Sequence, residues 1–197
     1  MIISNITRLK NGKYSINIDD KSYEFDEDIV VEYRLVKGSE VNDEILANAL
    51  NKNRFIEYYH KAINYALGYG KSSNEVIRYL VEKGLSIDES KKIVADIILK
   101  GLINDETLAI NLVNYYAKKS YGILYIESKL FEKKISKEII KKAINSIDYD
   151  IYYEALNKLY IKAKDKYIGT DFEVKMKIKR YLSQRGYTSD DINNIEG

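Results

Sequence analysis

The stretch Arg78-Tyr79-Leu80-Val81-Glu82-Lys83-Gly84-Leu85-Ser86-Ile87-Asp88-Glu89 decides the fold, because the chain carries it three times. It returns as Ser128-Lys129-Leu130-Phe131-Glu132-Lys133-Lys134-Ile135-Ser136-Lys137-Glu138-Ile139, and again as Arg180-Tyr181-Leu182-Ser183-Gln184-Arg185-Gly186-Tyr187-Thr188-Ser189-Asp190-Asp191. Each copy reads as an amphipathic helix closed by a basic residue, then glycine or lysine, an apolar residue, and a hydroxyl that caps the next helix. The leucine recurs at 80, 130 and 182, and Asn64-Tyr65 and Asn114-Tyr115 keep a spacing of 50. A period of this length marks a tandem repeat, here a three-helix module present three times.

Working outward from these anchors, helices are expected near 53–68, 72–83 and 87–100, then 105–119, 122–133 and 137–147, then 149–166, 171–185 and 189–195. Ser72-x-x-Glu75, Ser86-x-x-Glu89 and Thr170-x-x-Glu173 read as capping boxes, in which hydroxyl and carboxylate satisfy backbone amides orphaned at a helix start. Leu80, Leu130, Leu182, Ile93, Ile97, Ile140 and Ile144 fall on the apolar stripes and are expected in the core. A three-helix unit exposes apolar surface unless it stacks on a neighbour, so the modules are expected in series, as an elongated curved array.

Before residue 39 the period changes. Ile2 to Leu9, Lys13 to Asp19 and Ser22 to Asp26 alternate in strand fashion, with turns at Asn11-Gly12 and Asp19-Asp20. The expected fold is mainly α, with a small N-terminal antiparallel β segment. Its divisions are 1–38 as a β-hairpin-like extension, 39–52 as a connecting helix, and repeats at 53–103, 104–148 and 149–197.

Composition narrows function. The 197 residues include 19 Tyr, one His and no Cys, Pro or Trp, which excludes a disulfide, a thiol nucleophile and a Cys-rich or multi-histidine metal site. No phosphate-binding glycine loop is present. Gly68-Tyr69-Gly70-Lys71-Ser72 has its glycines too close together and reads as a helix-joining turn, His60 as a surface or boundary residue, and Asp105-Glu106 as helix-start acids after Asn104. No catalytic residue, cofactor or metal is expected. With neither a signal sequence nor a membrane span visible, a cytoplasmic protein is expected.

The net charge of +2 hides a split, −4 over residues 1–50 and +4 over residues 111–163. Cations and tyrosines cluster on the second and third repeats, where they give salt-dependent contacts and stacking surface. The candidate contact residues, chosen by charge clustering alone, are Lys118, Lys119, Tyr121, Lys133, Lys134, Lys141, Lys142, Arg180 and Arg185.

The order and spacing of four motifs resemble the RecX family, bacterial regulators of the recombinase RecA. They read Ala66-Leu67-x-x-Gly70-Lys71-Ser72-Ser73-x-Glu75-Val76-x-x-x-Leu80-x-x-Lys83-Gly84; Gly101-Leu102-Ile103-Asn104-Asp105-x-x-x-Ala109; Leu130-x-x-Lys133-Lys134-Ile135; and Lys179-Arg180-Tyr181-Leu182-x-x-Arg185-Gly186-Tyr187. The likeness runs from about residue 53 to the end. Lys134 stands where the family has glycine, which leaves room for a differently built turn. The resemblance implies a non-enzymatic regulator that binds RecA and its filament on single-stranded DNA; a monomer with a weak direct DNA contact and no membrane partner is expected. It implies inhibition of filament growth, ATPase, strand exchange and coprotease activity. Two other readings stay open on the residues alone: a DNA-binding protein of helix-turn-helix-like repeats, and a helical scaffold for another protein.

Overall fold

The computed structural model describes residues 1–68 and 70–196; Tyr69, inside the turn expected at 68–72, and Gly197, at the end of the third repeat, lie outside the described residues. The chain divides into two units, residues 1–64 and residues 65 onward.

The first unit opens with three antiparallel strands, β1 (Ile3–Arg8), β2 (Tyr14–Ile18) and β3 (Lys21–Phe25), in the order β1-β2-β3. Gly12, with φ of +84°, makes the first turn, where Lys13 N–H donates to Asn11 Oδ1 at 3.1 Å. Ile16 pairs with Ile6 and Tyr23, which fixes the register that turns Ile16 and Ile18 inward. They join Ile3, Phe25, Leu35 and Val41 in a core completed by Ile29 of α1 (Glu27–Glu32) and by Leu46 and Ala49 of α2 (Asp43–Leu67). Asp26 stands at the N-cap of α1, directly after the last strand. α2 carries neither Gly nor Pro and continues without a break past residue 53. Buried Asn53 accepts from Asp26 N–H at 2.8 Å and donates to the Glu24 carbonyl at 3.0 Å, tying this helix to the sheet's last strand.

The second unit is helical: α3 (Ser73–Glu82), α4 (Ile87–Leu99), α5 (Asp105–Lys118), α6 (Ile123–Glu132), α7 (Lys137–Asn145), α8 (Tyr149–Lys166), α9 (Asp171–Gln184) and α10 (Ser189–Glu196). All three capping boxes expected from sequence form. The middle helices α3, α6 and α9 end alike. The N–H of Leu85, Ile135 and Tyr187 donates to the carbonyl of Leu80, Leu130 and Leu182 at 3.1, 3.2 and 3.2 Å, so a buried leucine anchors every turn. The left-handed position is held by Gly84, Lys134 and Gly186, with φ of +97°, +59° and +85°. The turn at Lys134 is therefore built like the others: the closing hydrogen bonds and buried Ile135 outweigh the strain of a side chain at positive φ.

The second and third repeats share one apolar core running from Ala109 and Val113 of α5 through Leu130 and Ile144 to Leu156, Leu182 and Ile192. Within it, Tyr152 of α8 accepts from Ile123 N–H at 3.2 Å and donates to Asp191 Oδ2 at 3.0 Å. Thr188 N–H reaches the same oxygen at 2.9 Å, and Asp191 N–H returns to Thr188 Oγ1, so this cap doubles as the far end of an inter-repeat link. Burial, reinforced by Asp191, pushes the Tyr152 and Tyr187 hydroxyls far above the ordinary tyrosine range.

Three outcomes are expected in urea unfolding followed by circular dichroism. Lys134→Gly stabilises by up to about 1 kcal/mol, the relief of left-handed strain less glycine's greater unfolded freedom. Tyr152→Phe costs about 1–3 kcal/mol, because Ile123 N–H and Asp191 lose a buried partner. Stability contributed by the neutral tyrosines is fully present below about pH 10 and falls as pH rises above it, since the unfolded chain releases those protons first.

Candidate functional site

The junctions between repeats decide which surface cations are available to a partner. At the second junction the N-terminus of α6 sits on the C-terminal turn of α9: Gly122 N–H donates to the Arg185 carbonyl at 2.9 Å, and Leu124 N–H to the Gly186 carbonyl at 3.0 Å. Orphan donors of one helix end meet orphan acceptors of another. The approach is so close that a Cβ on Gly122 would lie 2.2 Å from the Gly186 carbonyl and Tyr187 nitrogen. At the first junction side chains replace the main chain. Ser72 Oγ donates to the Lys133 carbonyl at 2.5 Å and Asn74 Nδ2 to the Lys134 carbonyl at 2.8 Å. Asp105 adds a second tie, accepting from Ser73 N–H and Oγ at 2.8 and 2.6 Å.

Lys133 belongs to this first clasp. Its ammonium lies 3.2 Å from the Glu75 carboxylate and donates to the Gly70 carbonyl at 3.1 Å. The Lys134 side chain is exposed beside it. Lys142 pairs with Glu106 in the first turn of α5 at 3.2 Å, and Lys141 is exposed on the same helix, α7. Lys118 and Lys119 stand at the opposite end of α5, about 18 Å along its axis from Glu106. Lys119 lies 6.0 Å from the Tyr115 ring centre.

Tyr121 and Arg185 are brought together. The Tyr121 ring stacks on Tyr125 at 4.1 Å and 16°, with Tyr116 edge-on to both. The Arg185 guanidinium lies 5.0 Å from Tyr121 and 5.7 Å from Tyr181, joining the second repeat to the third through cation–π contact. Arg180 is exposed on α9. The nine candidates thus fall into separate groups: Lys118 and Lys119 at one end of α5, Lys141 and Lys142 near the other, Lys133 and Lys134 at the first junction, Tyr121 with Arg185 at the second, and Arg180 on α9. Ser72, Asn74, Glu75 and Asp105, which engage the first of these junctions, were not legible as a group. Their targets are largely main-chain carbonyls and amides, which leave no mark in the residue pattern.

Among the described residues no helix is long and apolar enough to cross a membrane. The architecture defines a tandem three-helix-repeat protein preceded by a small sheet-bearing unit. The model for the RecX third three-helix domain matches residues 150–195. Regulatory protein RecX of Clostridioides difficile strain 630 is 27% identical over 202 residues, covering 98% of this chain and 93% of the relative. A crystal structure of regulatory protein RecX superposes with a TM-score of 0.80 at 22% identity, over 99% of this chain and 98% of that one. The crystal structure of RecX from Lactobacillus salivarius gives 0.68 at 24% identity, over 72% and 93%. Along almost its whole length, then, the chain resembles regulatory proteins of the RecX family.

Lys133→Ala is expected to lower stability by about 1 kcal/mol, because Glu75 and the Gly70 carbonyl lose their cation. Lys118→Ala and Lys141→Ala are expected to stay within about 0.5 kcal/mol of the parent in urea unfolding followed by circular dichroism.

Proposed function

We propose that this protein is a non-enzymatic cytoplasmic regulator that binds the RecA recombinase and its filament on single-stranded DNA. It inhibits filament growth and the ATPase, strand-exchange and coprotease activities that depend on the filament, and so acts in recombinational DNA repair and the SOS response. The observation that carries this reading is the end-to-end likeness to relatives named as RecX regulatory proteins, spanning both the sheet-bearing unit and the repeats. The physical form supports it. Successive repeats present Lys118, Lys119, Lys141, Arg180 and Arg185 at separate points, and several weak contacts with a repeating partner multiply in affinity when one molecule makes them together.

Titrating the protein into a DNA-dependent RecA ATPase assay is expected to slow hydrolysis at substoichiometric ratios. Folded protein without effect at any ratio would remove the proposal. Replacing Lys118, Lys119, Lys141 and Lys142 with Ala, with Lys133 kept to preserve the first junction, is expected to raise the concentration needed for half-inhibition by about tenfold or more. Binding to naked DNA that is tight and falls steeply with salt would favour the direct DNA-binding reading instead.

A further inference from the structure

The three middle helices are equivalent, yet their outer faces differ. Arg78 of α3 is neutralised within its own helix by Glu82 at 2.9 Å, and Lys129 of α6 by Glu132 at 2.8 Å. Counted from the shared leucines, Glu82 and Glu132 correspond to Gln184 in the third repeat, and Arg78 corresponds to Arg180. The acid has gone while the cation remains. All residues three or four positions from Lys179 or Arg180 within α9 are neutral or basic, and neither cation has an acidic partner among the described residues.

α9 is also one turn longer than its counterparts, 14 residues against 10, and the extra turn carries Phe172. Phe172 is 74% exposed and Met176, one turn on, 52%. The opposite side of the helix buries Ile178 and Leu182, so core packing does not account for the outer pair. Phe172, Met176, Lys179, Arg180 and Ser183 line one open groove of about 440 Å³. Glu173 borders it, but its carboxylate accepts from Thr170 N–H and Oγ1, which holds it below the usual carboxylate range and at the helix start.

We infer that the outer face of α9 is a docking surface for an acidic protein segment, whose apolar side chain sits against Phe172 and Met176 and whose carboxylate takes the place left by Gln184. Charge complementarity and adjoining apolar area favour a protein: an acidic segment sets a carboxylate and an aliphatic side chain against this face together, whereas Phe172 is paired with a thioether rather than with a second ring between which a base would stack. The inference rests on the RecA reading and locates one contact within it.

The test measures binding of the full chain to RecA filaments on single-stranded DNA by fluorescence anisotropy, with unfilamented single-stranded DNA as a second probe. Phe172→Ala with Met176→Ala is expected to weaken filament binding by about tenfold, as loss of an interface anchor does. Gln184→Glu, which restores the internal partner that the other repeats have, is expected to weaken it in the same direction while leaving the far-ultraviolet spectrum and melting temperature unchanged. Parent protein that binds no filament would remove both this inference and the functional reading. Parent binding with both variants unaffected would remove the inference alone, and an equal loss on bare DNA would reassign the face to phosphate.

Discussion

A helix ends in carbonyl groups that its own backbone cannot satisfy, and the array is organised by where those groups go. In each middle helix the leucine at 80, 130 or 182 receives the N–H of the apolar residue five positions on. That bond folds the chain back, buries Leu85, Ile135 or Tyr187, and sets the next helix start at Ser86, Ser136 or Thr188. In the second and third repeats the carbonyls just past the helix point at the preceding repeat and become its docking point. One local geometry thus serves as helix stop, as turn and as joint between modules.

The two joints solve the same problem with different chemistry. At Gly122 the main chain itself makes the bonds and no side chain could fit. At Ser72 a hydroxyl spans the gap, backed by Asn74 and by the Lys133–Glu75 ion pair. The first joint depends on polar side chains, whose pairing weakens with salt and with substitution. The second depends on backbone bonds, buried Tyr152 and a stacked tyrosine pair with Arg185, and is much less sensitive to salt.

Helix order, the capping boxes and the hairpin turns were legible in sequence because each rests on interactions within about five residues, where pattern and structure are directly linked. Lys134 shows the limit of residue matching: the missing glycine suggested a new turn, yet the neighbouring hydrogen bonds impose the usual one. The candidate surface was legible only as a set of charges. Lys133 and Lys142 read as surface cations until Glu75 and Glu106 are found 3.2 Å away, across 58 and 36 residues of chain. Spacing along a helix cannot reveal partners supplied by another module. Asp105 was recognised as a helix-start acid, but its bonds to Ser73 depend on how two repeats meet.

The link from Ile123 through Tyr152 to Asp191 crosses the boundary between the second and third repeats inside a core that both supply. Two repeats joined this way do not melt one after the other. A chain ending at Ile147 would lose Leu156, Leu182 and Ile192 from the interior and leave the amide of Ile123 without its acceptor, so two modules that look separable in sequence form a single cooperative block.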